Sequence, residues 1–530
     1  MPHLVHQLIR ESAACRPDAL ALIHGETRWT YRELDQAVRR VAGGLIRLGV
    51  QAGDRIAVYL DKCPEAVTAL FAASAAGGAF VPINPQLKAA QVEHVLADSG
   101  ARVLITSRQR LAGLAGTETA TNGQLEIVLI DEPSDDQAAT ATPCTPWAAL
   151  DTDPEEADPA VVETDLAALL YTSGSTGAAK GVALSHRNLI AGAESVVEYL
   201  GNTADDRLLA VLPLSFDYGL SQLTTAFRAG ASVVLLNYLL PRDVVRAVAS
   251  EGVTGLAAVP PLWVQLAELE WPEAAQSSLR YITNSGGTLP QNSLNKLRTG
   301  LPATDIVLMY GLTEAFRSTY LPPTEIDRGP DAIGIPIPNA AIRVVRDDGS
   351  DCSPGEPGEL VHRGPLVAMG YWNDPERTAE RFRSSPGQPN GIPRTEKAVW
   401  SGDTVRWGDD GYLYFVGRHD EMIKTSGYRV SPGEIEAIID ASGLAGEAAA
   451  FGVPDEALGE VIVVAAAPTA PGERPDAQAL RESCQQGLPS FMVPRWIQTY
   501  AKPLPRNANG KIDRQALRRQ HQDQPSEDSV

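Results

Sequence analysis

Short runs of β-branched and apolar residues, "RIAVYL" (55–60), "ARVLIT" (101–106), "ASVVLL" (231–236) and "TDIVLM" (304–309), alternate along the chain with Ala/Leu/Glu-rich stretches of helical period such as 33–48 and 242–251. Strand-length and helix-length patterns in alternation argue for α/β layers built on parallel sheets. The segment 113–163 is rich in Thr, Asp, Pro and Glu, yet "LEIVLIDE" (125–132) inside it reads as a further strand, so it is expected to be a long excursion within one domain. From about 340 the texture changes. "AIRVVRDDGSDCSPGEPGELVHRG" and "DTVRWGDDGYLYFVGR" (403–418) place alternating runs on either side of Asp-Gly and Pro-Gly turn signals, the pattern of a small β-rich subdomain. A compact α+β unit follows Asp420, and the polar stretch "QHQDQPSEDSV" at 520–530 reads as a disordered tail. The expected fold class is therefore α/β: a large N-terminal domain of layered sheets and helices over 1–419, and a smaller C-terminal α+β domain over 420–519.

The chain has 530 residues, 44% hydrophobic and 21% charged, enough apolar material for a large core. Its formal charge is −21 and no block of Lys/Arg stands out, so no nucleic-acid partner is expected and an anionic substrate needs a locally built site. The N-terminal "MPHLVHQLIRESAACRPDAL" lacks a basic start followed by a long apolar run, and no stretch of 18 apolar residues occurs; no membrane span and a cytoplasmic location are expected. The five cysteines are scattered without a CxxC, and the eight histidines include no HExxH. Neither a disulfide framework nor a zinc site fits that spacing, so any metal is expected to arrive with a phosphate.

One loop carries the first chemical signal. "YTSGSTGAAKG" (171–181) follows the apolar run 166–170 and precedes the helical stretch "HRNLIAGAESVVEYL" (186–200), the place where phosphate loops sit. Its glycines let backbone N–H groups approach an anion, its hydroxyls add donors, and Lys180 adds charge. The P-loop pattern GxxxxGK[ST] fails, since Ala179 precedes the lysine and Gly181 follows it. Taken alone, the string would also suit a flexible Ser/Gly surface loop.

"YTSGSTGAAKGVALSHRNL" resembles the signature of the AMP-forming adenylating enzymes, which include acyl-CoA synthetases, peptide-synthetase adenylation domains and luciferases. Further stretches resemble the family's motifs in the family's order: "MYGLTEAF" (309–316), "GELVHRGPLVAMGYW" (358–372), "SGDTVRWGDDGYLYFVGRHDEMIKTSGYRVSPGEIE" (401–436) and "LPRNANGKIDR" (504–514). The resemblance implies ATP and Mg²⁺ as cofactors and assigns roles. Thr172, Ser173, Gly174, Ser175, Thr176, Gly177 and Lys180 would hold the β- and γ-phosphates and the departing pyrophosphate. Thr313 and Glu314 would lie near the α-phosphate, Glu314 as the Mg²⁺ ligand, and Gly311 of the same motif would also bind the nucleotide. Tyr310 would stack on adenine, Asp403 would accept both ribose hydroxyls, and Arg418 would contact the ribose and phosphate edge. Lys511, from the C-terminal unit, would neutralise charge developing between carboxylate and phosphate, forming with Glu314 and Thr176 the catalytic set. Because Lys511 is remote in sequence from the phosphate loop, the C-terminal unit is expected to be mobile, hinged at Asp420. A second pose would bring 424–431 inward, with Lys424 and Gly427 lining a channel for a thiol.

The acid-binding region departs from the fatty and aryl acyl-CoA ligases. Many of these place a histidine after the aromatic in the "LP…FH" stretch, whereas "LPLSFDYGLSQL" (212–223) has Asp217 there. In peptide-synthetase adenylation domains, which this stretch resembles more closely, that aspartate pairs with a substrate ammonium, and an unpaired carboxylate in an apolar pocket is costly. The alternative is an Asp capping the helix expected near 219. The same resemblance names Ala258, Asn284, Met309, Arg317 and Ser318 as pocket residues. Arg317 is expected to point outward; inward, it would bind a second carboxylate or another polar group. Other stretches, "MGYWNDPERTAERF" and "SGYRVSPGEIEAII", look more like stand-alone ligases, including those resembling the exosortase-associated acyl-CoA ligase and the free-standing amino-acid loaders. The chain ends shortly after the lysine loop, so a carrier protein is expected only in trans.

The function this implies is an ATP-dependent ligase that adenylates a small or amino-bearing carboxylic acid and passes the acyl group to a thiol, that of CoA or of carrier-protein phosphopantetheine. The alternatives are a medium- or long-chain fatty acyl-CoA synthetase and a non-catalytic nucleotide-binding relative, with a luciferase-like oxidation unsupported by any feature.

Overall fold

The structure, a computed structural model, describes residues 2–114, 125–131, 143–150, 160–173, 179–388, 391, 393, 395–418, 423–425, 428–430, 432–455, 459–469, 472–488, 492–507 and 510–523. The strand and helix patterns read from the sequence fall where expected. Strands Arg55–Tyr59, Val103–Thr106, Ser232–Leu235 and Asp305–Tyr310 are interleaved with helices Tyr31–Arg47 and Pro241–Glu251.

Two sheets build the large domain. In the first, Leu166–Ser173, Ala79–Pro82, Arg55–Tyr59, Val103–Thr106 and Glu126–Leu129 run parallel, so the 113–163 excursion does return to its own sheet. Ala179–Ser185 turns back antiparallel to Leu166–Ser173 with Thr172 opposite Lys180, and Gly370–Tyr371 pairs with its outer edge. Among the described residues the second sheet has 14 strands. One half is parallel, from Leu20–His24 across to Asp305–Tyr310, as side-by-side strand–helix units require. The expected β-rich run forms the other half: Thr319–Leu321, Ala332–Pro336, Leu413–Arg418, Lys397–Trp407, Gly358–Arg363 and Ala341–Val345, all antiparallel. Its hydrogen bonding is thus continuous with the parallel half, which ties the two Asp-Gly and Pro-Gly hairpins directly to Tyr310.

Helix Tyr31–Arg47 starts at a reciprocal cap, in which the Thr30 hydroxyl accepts from the Glu33 N–H and the Glu33 carboxylate accepts from the Thr30 N–H. It buries Leu34, Val38, Val41 and Leu45 against Leu70 and Phe71 of the Ala-rich helix Pro64–Ala75, which is covered on every side.

The smaller C-terminal domain has its own sheet, with Glu447–Asp455 and Gly459–Ala467 as a long antiparallel pair and Trp496–Thr499 parallel beside it. Ile435, Ile439, Leu480 and Cys484 of its helices close a separate core over this sheet. Helix Arg514–Asp523 runs past 519 and so occupies the first residues of the expected disordered tail. It carries a buried Leu517 and a His521 packed toward Phe451, contacts that a polar-composition reading does not foresee.

The helix Asp217–Ala229 begins against the loop before it so tightly that a Cβ on Gly219 would stand 2.0 Å from the carbonyl oxygen of Pro213. Backbone cannot yield there as a flexible side chain would. Gly219→Ala is expected to lower stability by about 2 kcal/mol and to displace Asp217, read as a reduced thermal midpoint together with a weaker response to an acid substrate.

Candidate active site

The two sheets meet at a buried charge. Strand Ala179–Ser185 delivers Lys180, its edge partner Gly370–Tyr371 delivers Tyr371, and the single turn Thr313–Ala315 after strand Asp305–Tyr310 delivers Glu314. The Lys180 ammonium donates to the Glu314 carboxylate at 3.3 Å and to the Tyr371 hydroxyl at 2.7 Å, while that hydroxyl donates to the same Glu314 oxygen at 2.5 Å. The backbone joins in, with the Ala368 N–H donating to the Glu314 carbonyl at 2.9 Å. Burial alone would raise the Glu314 pKa, but Lys180, then Arg381, and the Tyr371 hydrogen bond hold it below the ordinary glutamate value. Desolvation lowers the pKa of Lys180, and Glu314 pulls it back up. The site therefore keeps an ionised carboxylate in the wall of a cleft.

That turn is held in an unusual shape. Phe316 adopts φ +59°, rare for a bulky side chain, and its ring lies where a Cβ on Gly192 would approach to 2.9 Å. A strain of about 1–3 kcal/mol is sustained by burying the ring among Ala191, Val196, Ile337 and Leu366. Gly311 is required for the same reason: a Cβ there would meet the Phe316 carbonyl at 2.7 Å.

The cleft has a volume of about 3370 Å³ and is lined from both domains. Thr172, Lys180, Tyr310, Gly311, Thr313, Glu314 and Asp403 contribute from the large domain and Lys511 from the small one. Asp403, on strand Lys397–Trp407, accepts a short hydrogen bond from the Tyr310 hydroxyl. Lys511 is exposed; its backbone N–H donates to the Asn507 side-chain oxygen at 3.1 Å, and Gly510 before it adopts φ +76°.

The residues expected to form the acid pocket divide between the cleft wall and the core. Asp217, Asn284, Met309 and Arg317 line the cleft. Ala258 and Ser318 do not: both are fully buried outside its wall, Ala258 with its carbonyl accepting from the Trp263 indole at 3.0 Å and Ser318 bonded to His362 Nδ1 at 2.9 Å. Asp217 is no cap. Phe216 holds the capping position and Asp217 is the first residue inside the helix, buried, with Thr313 donating to it at 3.4 Å. Burial raises its pKa and the charge of Arg317 opposes that rise. The expectation that Arg317 points outward is overturned: it is 2% exposed, its guanidinium 4.4 Å from the Tyr218 ring centroid and 5.0 Å from that of Phe316, with Nη1 3.4 Å from Ser285 Oγ. The turn at Phe316 brings it in, and no spacing rule in the sequence reports such a turn.

Ser173 (as a side chain), Gly174, Ser175, Thr176, Gly177, the side chains of Arg418 and Lys424, Asp420 and Gly427 lie outside the described residues. Two residues of the site carry no role in the sequence reading, Tyr371 and Arg381. Both stand in the quoted "GYWNDPERTAERF" stretch, and only their convergence on Glu314 singles them out. Among the described residues no three metal-ligating side chains cluster. Glu314 supplies one hard oxygen donor in the cleft wall, which suits Mg²⁺ held mainly by phosphate oxygens and water.

Removing one partner of a buried pair leaves the other charge uncompensated. Lys180→Met is therefore expected to destabilise the large domain by about 3 kcal/mol at neutral pH, measured as a fall in its thermal transition, and the double variant Lys180→Met/Glu314→Gln is expected to recover part of the loss.

The comparisons with known proteins agree with this geometry. A model of the AMP-binding enzyme family matches residues 9–372, and one of the AMP-binding enzyme C-terminal domain matches 434–511. Feruloyl-CoA synthase of an Amycolatopsis species is 32% identical over 514 residues, 96% of this chain and 97% of that one. Phosphinothricin tripeptide synthetase PhsC of Streptomyces viridochromogenes is 33% identical over 518 residues, which is 97% of this chain and 45% of the synthetase. The chain spans less than half the length of the peptide synthetases it matches, down to 6% for the probable non-canonical nonribosomal peptide synthetase CymA of Salinispora arenicola. ATP-bound MatB from Rhodopseudomonas palustris superposes with a TM-score of 0.85 at 26% identity, covering 98% of this chain and 99% of that one. No helix among the described residues is long and apolar enough to cross a membrane. With a family model over most of its length and a relative aligned nearly end to end, the chain belongs to the AMP-binding enzymes, the superfamily of AMP-forming ligases.

Proposed function

We propose that the protein adenylates a small, amino-bearing carboxylic acid with ATP and then transfers the acyl group to a thiol. The observation that carries this reading is that one cleft gathers an ionised buried carboxylate, Glu314, with Lys180, Asp403 and a lysine from the second domain, Lys511. In the first step a carboxylate oxygen attacks the α-phosphorus, the bond to the β-phosphate breaks, and pyrophosphate leaves. Two anions must be brought together, so catalysis is mainly positional and electrostatic. Lys180 and the 172–177 loop bind the departing phosphates, Thr313 lies beside the α-phosphate, Tyr310 and Asp403 hold the adenosine, and Arg418 adds a contact at the ribose. Lys511 stabilises charge on the attacking and phosphoryl oxygens. Glu314 would hold Mg²⁺, which would supply neutralising charge at the phosphates.

In the second step a thiolate sulfur attacks the acyl carbon and AMP departs with the bonding electrons. A hinge at Asp420, between a domain over 1–419 and one over 420–519, would exchange Lys511 for the 424–431 segment, with Lys424 and Gly427 beside the thiol. One relative is named a CoA synthase and others are peptide synthetases, which supports a thiol acceptor, either CoA or a carrier-bound phosphopantetheine. The preference for an amino-bearing acid over a fatty acid rests on the buried Asp217 in the cleft wall, a poor neighbour for an alkyl chain.

Lys511→Ala is expected to lower acid-dependent ATP–pyrophosphate exchange by about 100-fold or more without moving the thermal midpoint, since Lys511 is exposed. Exchange undiminished in that variant would overturn the assignment of Lys511.

A further inference from the structure

The pocket wall beyond Thr313 carries two opposite charges that do not neutralise each other by contact. Asp217 and Arg317 are 6% and 2% exposed, yet no Asp217 oxygen lies within 4.0 Å of an Arg317 nitrogen. Each is only partly satisfied by the protein. Asp217 has the long contact from Thr313 and the Tyr218 N–H; Arg317 rests on two aromatic faces with a long contact to Ser285 and the Tyr199 hydroxyl beside it, and its Nε has no hydrogen-bond partner. Asn284, 3% exposed and in the same wall, donates to the Gly287 carbonyl at 2.9 Å while its Oδ1 is likewise without a partner. Leaving buried donors and acceptors unmet is costly, and a site of this kind discriminates strongly in favour of a ligand that meets them.

Thr313, beside Glu314, contacts Asp217, and Arg317 lies over Tyr218, the residue after Asp217, and against Ser285. The wall that begins at Glu314 and Lys180 thus presents both acceptors and a guanidinium to one ligand.

We propose that the acid taken by this pocket is an amino dicarboxylic acid, its ammonium received by Asp217 and the Asn284 oxygen and its second carboxylate by the Arg317 guanidinium. This rests on the adenylation reading above and narrows it. The planar fork of Arg317 suits a carboxylate, and the two charges of the ligand cancel the two of the wall. An apolar side chain would leave the Arg317 Nε unmet, with nothing gained from the burial of the guanidinium.

The test is ATP–pyrophosphate exchange with aspartate, glutamate, their amides and norvaline, in the full-length protein and in Arg317→Gln and Arg317→Lys. The expected result is exchange with aspartate or glutamate at a kcat/KM about 100-fold above that of its amide, a loss of that ratio in Arg317→Gln through KM, and partial rescue in Arg317→Lys. A thermal midpoint of Arg317→Gln close to that of the parent protein reports that the variant is folded. Exchange favouring an amide or norvaline in the parent protein, or a ratio unmoved in Arg317→Gln, overturns the proposal while leaving adenylation intact. Exchange with amino-free acids alone would instead remove the amino-acid reading, and with it this inference.

Discussion

An ionised carboxylate buried where two sheets meet organises this molecule. Glu314 stands at the C-terminal end of a strand of one sheet, and Lys180 and Tyr371 come from neighbouring strands of the other. A charge taken out of water is tolerated only when it is paired and hydrogen-bonded, so the three side chains hold the two sheets in a single relative position. The same arrangement sets a hard oxygen donor and an ammonium group in the cleft wall, the pair that the proposed nucleotide chemistry requires. Under that proposal, structural pinning and phosphate binding share one interaction.

The acid pocket follows a different electrostatic logic. Around Glu314 the protein supplies the countercharge in contact. Around Asp217 and Arg317 it supplies opposite charges at a distance, with aromatic rings filling the space around the guanidinium. Phe316 connects the two regions, because the same strained turn that exposes Glu314 to Lys180 directs Arg317 inward. A change at this turn would reach both the phosphate end and the acid end of the cleft.

Much of this was legible in the sequence. The alternation of strand and helix patterns foretold the α/β layers, and the Asp-Gly and Pro-Gly signals foretold the antiparallel half of the large sheet, because turn chemistry and periodicity are local properties. Among the described residues of the glycine-rich loop, "YGLTE" and "NGK", Thr172, Lys180, Thr313, Glu314 and Lys511 line one cleft. The failures share a cause. Ala258 and Ser318 sit beside pocket residues in sequence, yet strand and loop geometry turn them into the core; Arg317 was expected outward, yet one positive φ brings it in. Tyr371 and Arg381 gain meaning only through a partner 57 or more residues away in the chain. Side-chain direction at irregular turns and long-range pairing are set by tertiary packing, which no local pattern records.

The central claim is that the buried aspartate of the acid pocket selects an amino-bearing substrate for adenylation. The most direct measurement is ATP–pyrophosphate exchange with an accepted amino acid and its des-amino counterpart, in the parent protein and in Asp217→Asn. The account predicts a kcat/KM preference of about 100-fold for the amine in the parent, collapsing in Asp217→Asn, an isostere that keeps the volume and loses the charge. Equal rates with the two acids in the parent protein, or a preference that survives Asp217→Asn, would contradict it.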